Sequence, residues 1–374
     1  MICVSGSGST PSFAPFAFML SHFTKFRIGA ISTVVGDRTI RLDNEIDLYD
    51  GDRARVDRLK KATGLDTRRV VSEGVTAVDL AESASSHLMS HLDIDPITID
   101  ACLFVTQTPD HFQPSNSTIL HGRLNLPKTT ACWDVSLGCS GWVYGLAQLG
   151  ALFECGSLNR ALLIAGDTLS REVDPEDRGT APLFGDGAAV TLLEKADNHE
   201  TRVLLGSDGG GSAAIRVPAG AFRHPMPTSE IFYDSEGGVR KPDSLIMDGP
   251  EVFRFSLREV PAALNSLMEL ANVEKESLQH VFFHQANAYI LSNLRRRLGL
   301  TELQVPTGTL GRYGNLSSAS IPAVICDTTA GPDEGNVELG KSMLCGFGVG
   351  LSWGAALTDL SGVDCLPVRK YGDS

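Results

Sequence analysis

The chain has 374 residues, 42% of them hydrophobic and 21% charged, the balance of an ordinary folded protein, which excludes wholesale disorder and collagen-like or disulfide-scaffold classes. Lys and Arg number 32 against 45 Asp and Glu, a net charge of -13, so the totals argue against a nucleic-acid-binding protein. Eight cysteines lie scattered without a Cys-x-x-Cys pair, the usage of small buried thiols in a reducing compartment, and the 38 glycines exceed the typical ~7% of a chain.

Residues 1–22 carry an apolar patch at 13–20 that Pro15 interrupts and that no Lys or Arg precedes. It is too short for a membrane span and wrong for a signal peptide, so the segment reads as a disordered or loosely docked extension of a cytoplasmic, membrane-free protein. A first strand is expected over 26–34, then a short helix over 53–63 that Gly64 stops. Apolar residues at three-and-four spacing, among them Leu80, Ala84 and Leu88, place a helix over 75–92. A buried strand at 101–106, a helix at 117–124 and a strand at 130–136 follow. That strand runs into Gly138-Cys139-Ser140-Gly141 and an apolar helix over 142–155, and strands at 161–166 and 188–193 come next.

The second half repeats this grammar. Helices are expected over 253–270, 288–298 and 321–329, the middle one ending at Gly299, with strands at 281–283, 342–345 and 351–357. Strands alternating with helices, and short continuous apolar runs, predict an α/β protein whose sheets are covered on both faces. The repeat divides it into two similar halves, 23–200 and 201–374. The irregular stretch at 207–246 contains Gly209-Gly210-Gly211, but no phosphate-binding fingerprint accompanies it, so it reads as plain loop.

Cys139 is the first candidate for chemistry. At a junction between strand and helix its sulfur would face free backbone N–H groups and the positive end of the helix dipole, both of which favour thiolate. Gly138 and Gly141 would leave the backbone bare for a substrate. The alternative is a buried cysteine in a tight turn. His284 ends the apolar run Phe282-Phe283, where sheet edges present side chains to a crevice, although core histidines occupy such places too. Asn315 precedes a helix and by itself reads equally as a turn or cap residue. No second ligand stands at a useful spacing for a metal.

Five segments bear a resemblance that spacing does not supply: Asp134-Val135-Ser136-Leu137-Gly138-Cys139-Ser140-Gly141, Leu183-Phe184-Gly185-Asp186-Gly187-Ala188-Ala189, His284-Gln285-Ala286-Asn287, Tyr313-Gly314-Asn315-Leu316-Ser317-Ser318-Ala319-Ser320 and Gly346-Phe347-Gly348-Val349-Gly350-Leu351-Ser352-Trp353-Gly354. In this order they resemble the successive motifs of β-ketoacyl-acyl-carrier-protein synthase III. The resemblance implies a thiolase fold, a five-layer αβαβα sandwich of two pseudo-symmetric halves, and a homodimer. It implies a decarboxylating Claisen condensation of an acyl-CoA or acyl-carrier thioester with malonyl-acyl carrier protein, without a cofactor. Cys139 would then carry the acyl group, with the backbone N–H groups of Cys139 and Val349 holding its oxyanion. His284 and Asn315 would hold the second thioester carbonyl.

The same resemblance places Arg178 where the family contacts the coenzyme A nucleotide and Phe347 where an aromatic shapes the pocket; Asp186 is expected to shape a turn. Other positions depart from the family. Arg58 stands for a tryptophan that stacks on adenine, Gln113 for a phenylalanine that reaches the partner's acyl tunnel, Val349 for a glycine and Tyr289 for an arginine of the carrier-docking surface. Arg295, Arg296 and Arg297 are expected to supply that docking charge, because an acyl carrier protein is acidic and so is this chain. Two other readings stay open: a relative that transfers acyl groups to an oxygen or nitrogen nucleophile, and a non-catalytic partner subunit of a heterodimeric synthase.

Overall fold

A computed structural model describes residues 19–225, 232–233, 239–330 and 337–373. The first half builds a sheet from β2 (Phe26–Val35), β3 (Ala101–Val105), β4 (Ala131–Val135), β5 (Arg160–Asp167) and β6 (Gly187–Lys195). Its order is β2-β6-β5-β3-β4, antiparallel at the first two contacts and parallel at the last two. The second sheet uses β7 (Thr201–Ser207), β8 (His280–Phe283), β9 (Lys341–Gly348) and β10 (Ser352–Asp359) in the order β7-β10-β9-β8. Its pairings are again two antiparallel and then one parallel, so the repeat read from the sequence is a repeat of topology.

Helices fill three layers around these sheets. α2 (Ala77–His91) and α3 (Asn116–Arg123) cover the outer face of the first sheet; α5 (Gly249–Ala271) and α6 (Ala288–Leu298) cover that of the second. α4 (Gly141–Glu154) and α7 (Ser320–Ala330) lie between the sheets, which completes the expected αβαβα sandwich. α4 is mostly apolar because two sheets pack on it, and only a narrow strip with Gln148 and Ala151 is exposed. Trp142, Val143, Leu146, Leu149 and Phe153 are buried, each worth ~1.5–3 kcal/mol relative to exposure, and the Trp142 indole N–H donates to Thr191 Oγ1 at 3.0 Å. A further helix, α1 (Arg53–Thr63), begins on Asp52, whose side chain accepts from the Arg55 N–H, and ends at Gly64 in the left-handed conformation.

Both chain ends cross the boundary between the halves. Met19–Phe23 forms strand β1, antiparallel to β7 at the edge of the second sheet, so residues 19–22 are ordered structure and not a loose extension; residues 1–18 lie outside the described residues. Conversely, Asp364–Cys365 and Arg369–Lys370 return from the C-terminal half to pair with β2 of the first sheet. The terminal strands thus tie each half to the sheet of the other. None of the described helices is long and apolar enough to cross a membrane.

Candidate active site

The motifs converge where the two sheets abut. Cys139 is the fourth residue after β4, and Ser136–Leu137–Gly138 separate the strand from the turn that starts α4. The end of β9 presses on this turn. A Cβ at Gly346 would lie 2.5 Å from the Cys139 carbonyl oxygen, and one at Gly348 would lie 3.0 Å from Cys139 Sγ. Bare backbone is thus required for the two halves to meet over the cysteine. At Gly138 the reason differs from the one expected: the space a Cβ would take is occupied by Gln107, whose Oε1 would stand 1.5 Å away.

Cys139, His284, Asn315 and Phe347 line one narrow, mostly apolar cavity of about 80 Å³. His284 follows β8, its backbone N–H donating to the Cys345 carbonyl at 2.7 Å, and its ring meets Phe347 edge-on at 5.6 Å and 84°. The ring is buried, Nδ1 has no hydrogen-bond partner, and burial lowers the imidazole to about 3 while the Ser317 backbone acts weakly the other way. His284 is therefore neutral at physiological pH. Asn315 is held by its own backbone, with its N–H on the Leu183 carbonyl and its C=O accepting from Gly185 N–H. Its Oδ1 accepts from Ser317 N–H at 2.9 Å, which leaves Nδ2 as the free amide end.

The electrostatics of Cys139 correct the thiolate expectation. Burial first, and then the charge of Asp167, push the thiol up to about 12; the Ser317 hydroxyl and the backbone N–H groups of Cys139 and Val349 pull down less strongly. Those two N–H groups do face the sulfur, as an oxyanion site at this cysteine requires. Asp167, at the end of β5, is fully buried and accepts from Thr106 Oγ1, Gln107 N–H and Ser318 Oγ at 3.1, 2.7 and 2.9 Å. Desolvation raises its carboxyl in spite of these donors. Ser317 Oγ lies 4.0 Å from Cys139 Sγ and also serves Asp167, linking carboxyl and thiol.

Sequence reasoning did not single out Asp167, Ser317 or Gln107. The only hint was position, since Asp167 closes one buried apolar strand and Gln107 lies two residues beyond another. Asp186 is structural as expected, accepting from the Val71 and Ser170 N–H groups at 2.9 Å each.

Other expected residues lie outside the cavity. Arg178 makes a two-pronged pair with Asp50, 2.8 and 3.0 Å. Arg58 is exposed, 3.9 Å from Asp52, so it and Arg178 meet the same acidic turn, Asp50–Gly51–Asp52. Gln113 is exposed. On α6, Arg295 pairs with Glu302 at 2.9 Å, Arg296 bonds back to Ser292 and Asn293, Arg297 is exposed, and Tyr289 stacks on Phe253. The helix N-terminus touches the cavity through Asn287 and Ile290, with Asn287 Oδ1 capping Ile290 N–H at 2.8 Å.

Comparisons with known proteins point to one family. Residues 133–210 match the family model described as 3-oxoacyl-[acyl-carrier-protein (ACP)] synthase III, and residues 268–360 match that of its C-terminal part. The chain is 36% identical over 344 residues to a Campylobacter jejuni protein provisionally named 3-oxoacyl-[acyl-carrier-protein] synthase 3, covering 91% of this chain and 95% of that one. It is 35% identical to the β-ketoacyl-[acyl-carrier-protein] synthase III of a Synechococcus strain, covering 80% and 86%. A solved 3-oxoacyl-(acyl-carrier protein) synthase from Burkholderia xenovorans superposes with a TM-score of 0.87 at 31% identity, covering 95% and 99%.

Proposed function

The chain belongs to the 3-oxoacyl-[acyl-carrier-protein] synthase III family, a family of condensing, acyl-transferring enzymes with the thiolase fold, and on that premise we propose that it condenses an acyl thioester with malonyl-acyl carrier protein. The observation that carries this reading is the convergence of Cys139, a neutral His284 and the free amide end of Asn315 on one cavity.

In the first half-reaction Cys139 Sγ attacks the acyl carbonyl. The oxyanion forms against the N–H groups of Cys139 and Val349, and the donor's thiol departs with the proton that the cysteine loses. A thiol held up to about 12 is protonated at rest, so its proton leaves as the acyl carbon arrives. In the second half-reaction the malonyl C–C bond breaks, carbon dioxide departs, and negative charge appears on the thioester oxygen. Asn315 Nδ2 and the His284 Nε2–H donate to that oxygen, and a neutral donor fixed in place stabilises charge that exists only in the transition state. The enolate carbon then attacks the acyl-Cys139 carbonyl, the C–S bond breaks, and the cysteine leaves as a thiolate that takes up one proton from water, with a β-ketoacyl thioester as product.

Arg295, Arg296 and Arg297 close the last turn of α6, whose first turn borders the cavity, and we assign them to docking the acidic carrier protein. β4 forms an uncovered sheet edge among the described residues, with Cys132, Trp133 and Val135 half-exposed, which supports a homodimer built on that edge. The described cysteines are all free thiols, in keeping with a cytoplasmic setting.

The half-reactions separate in Cys139→Ala. The variant should still release carbon dioxide from malonyl-acyl carrier protein and form no condensed product; normal condensation by the variant would overturn the nucleophile assignment.

A further inference from the structure

The cavity contains one polar side chain that the condensation leaves without work. Gln107 lies just beyond β3, beside Cys139, and its backbone is fixed by the 2.7 Å bond from its N–H to Asp167 Oδ1. Its carboxamide packs on Gly138, the residue before the nucleophile, and Oε1 is buried with no hydrogen-bond partner. The other amides of the cavity are committed: Asn315 Oδ1 to Ser317 and Asn287 Oδ1 to the start of α6. The walls of the cavity that Gln107 shares are mostly apolar, with Leu169, Leu245 and Phe347 among them. A buried acceptor left unpaired in such surroundings destabilises the empty site, and a ligand that brings a donor relieves that cost.

We propose that Gln107 is a specificity-determining residue that selects a hydroxyl-bearing short acyl group for loading onto Cys139. A hydroxyl donates to Oε1 and can accept from Nε2 of the same carboxamide, so it satisfies both ends. A plain alkyl chain, a ketone or a carboxylate brings no donor and leaves Oε1 unpaired. Discrimination of this kind is larger than that of an apolar pocket, because rejection comes from the site's own unpaired group.

The inference rests on the acyl-enzyme reading, and one experiment separates the two. The full chain is incubated with butyryl-, acetoacetyl- and (R)- and (S)-3-hydroxybutyryl-CoA, and the rate of the mass increase on the intact protein is followed. One hydroxybutyryl enantiomer should load at least about tenfold faster than butyryl or acetoacetyl thioester. In Gln107→Leu that preference should disappear, with butyryl loading equal to or faster than in the parent. Loading without a hydroxyl preference in the parent, or a preference that survives in Gln107→Leu, overturns the role of Gln107 while leaving the acyl-enzyme intact. Absence of loading from every thioester, including carrier-protein thioesters, overturns both.

Discussion

Asn315→Asp isolates a single hydrogen-bond donor. The asparagine spends Oδ1 on Ser317 N–H at 2.9 Å, and the aspartate retains that acceptor and the shape of the side chain. What changes is the other end, where the Nδ2 donor becomes an oxygen facing the place where enolate charge develops. Removal of one preorganised donor to an oxyanion costs about 10²–10³-fold in rate, ~2.7–4 kcal/mol, and the repulsive oxygen argues for the upper end. Loading of Cys139 relies on the backbone N–H groups of Cys139 and Val349 and should be spared. Two measurements on one preparation decide it: acyl loading by intact mass, and carbon dioxide release from malonyl-acyl carrier protein. Loading should stay within about threefold of the parent while release falls at least about a hundredfold. Release within about tenfold of the parent would refute the donor role, and a parallel loss of both activities would show that Asn315 merely supports the fold.

Because burial and Asp167 push the Cys139 thiol up to about 12, alkylation by iodoacetamide should accelerate about tenfold per pH unit between roughly pH 7 and 10; a plateau near neutrality would contradict that environment. His284 is lowered to about 3 when folded and returns to an ordinary histidine near 6.5 when unfolded, so below that value the unfolded chain binds the extra proton and stability falls as pH drops. Between pH 7 and 5 this histidine should remove about 2 kcal/mol, so urea unfolding of His284→Gln should lose that much less than the parent; equal losses would refute its burial as a neutral ring. Reversing the charge of Arg295, Arg296 and Arg297 should raise KM for the carrier-protein substrate and leave CoA substrates alone, and an unchanged KM removes these arginines from docking.

The parts of the fold legible in the sequence were those set by local rules. α1 and α6 end where Gly64 and Gly299 were expected to stop them, because a left-handed cap is cheap for glycine and recognisable in one residue. β1 escaped notice because five residues, MLSHF, with their first two exposed, carry no alternation strong enough to announce an edge strand. For the site, Cys139, His284 and Asn315 stood out through short motifs, but the cavity that joins them exists only after the two sheets abut. Asp167 and Gln107 acquire their roles from that closure, and a single polar residue at the end of an apolar strand does not signal it. The thiolate expectation failed for the same reason. A helix start is visible in sequence, whereas the desolvation that outweighs it arises when the second sheet closes over the cysteine at Gly346 and Gly348. The positions of Arg58, Arg178 and Gln113 could be matched by resemblance, but not their partners, and Asp50 came from a turn with no motif of its own.

The acyl-enzyme is the claim on which the rest depends. Intact-mass measurement of the parent with an acyl thioester, then with malonyl-acyl carrier protein, should show one acyl group on Cys139. The chase should discharge it with release of carbon dioxide and appearance of a β-ketoacyl carrier protein. An acyl group that forms on Cys139→Ala as readily as on the parent, or that leaves the parent only to water or to an oxygen or nitrogen acceptor, would contradict the condensation.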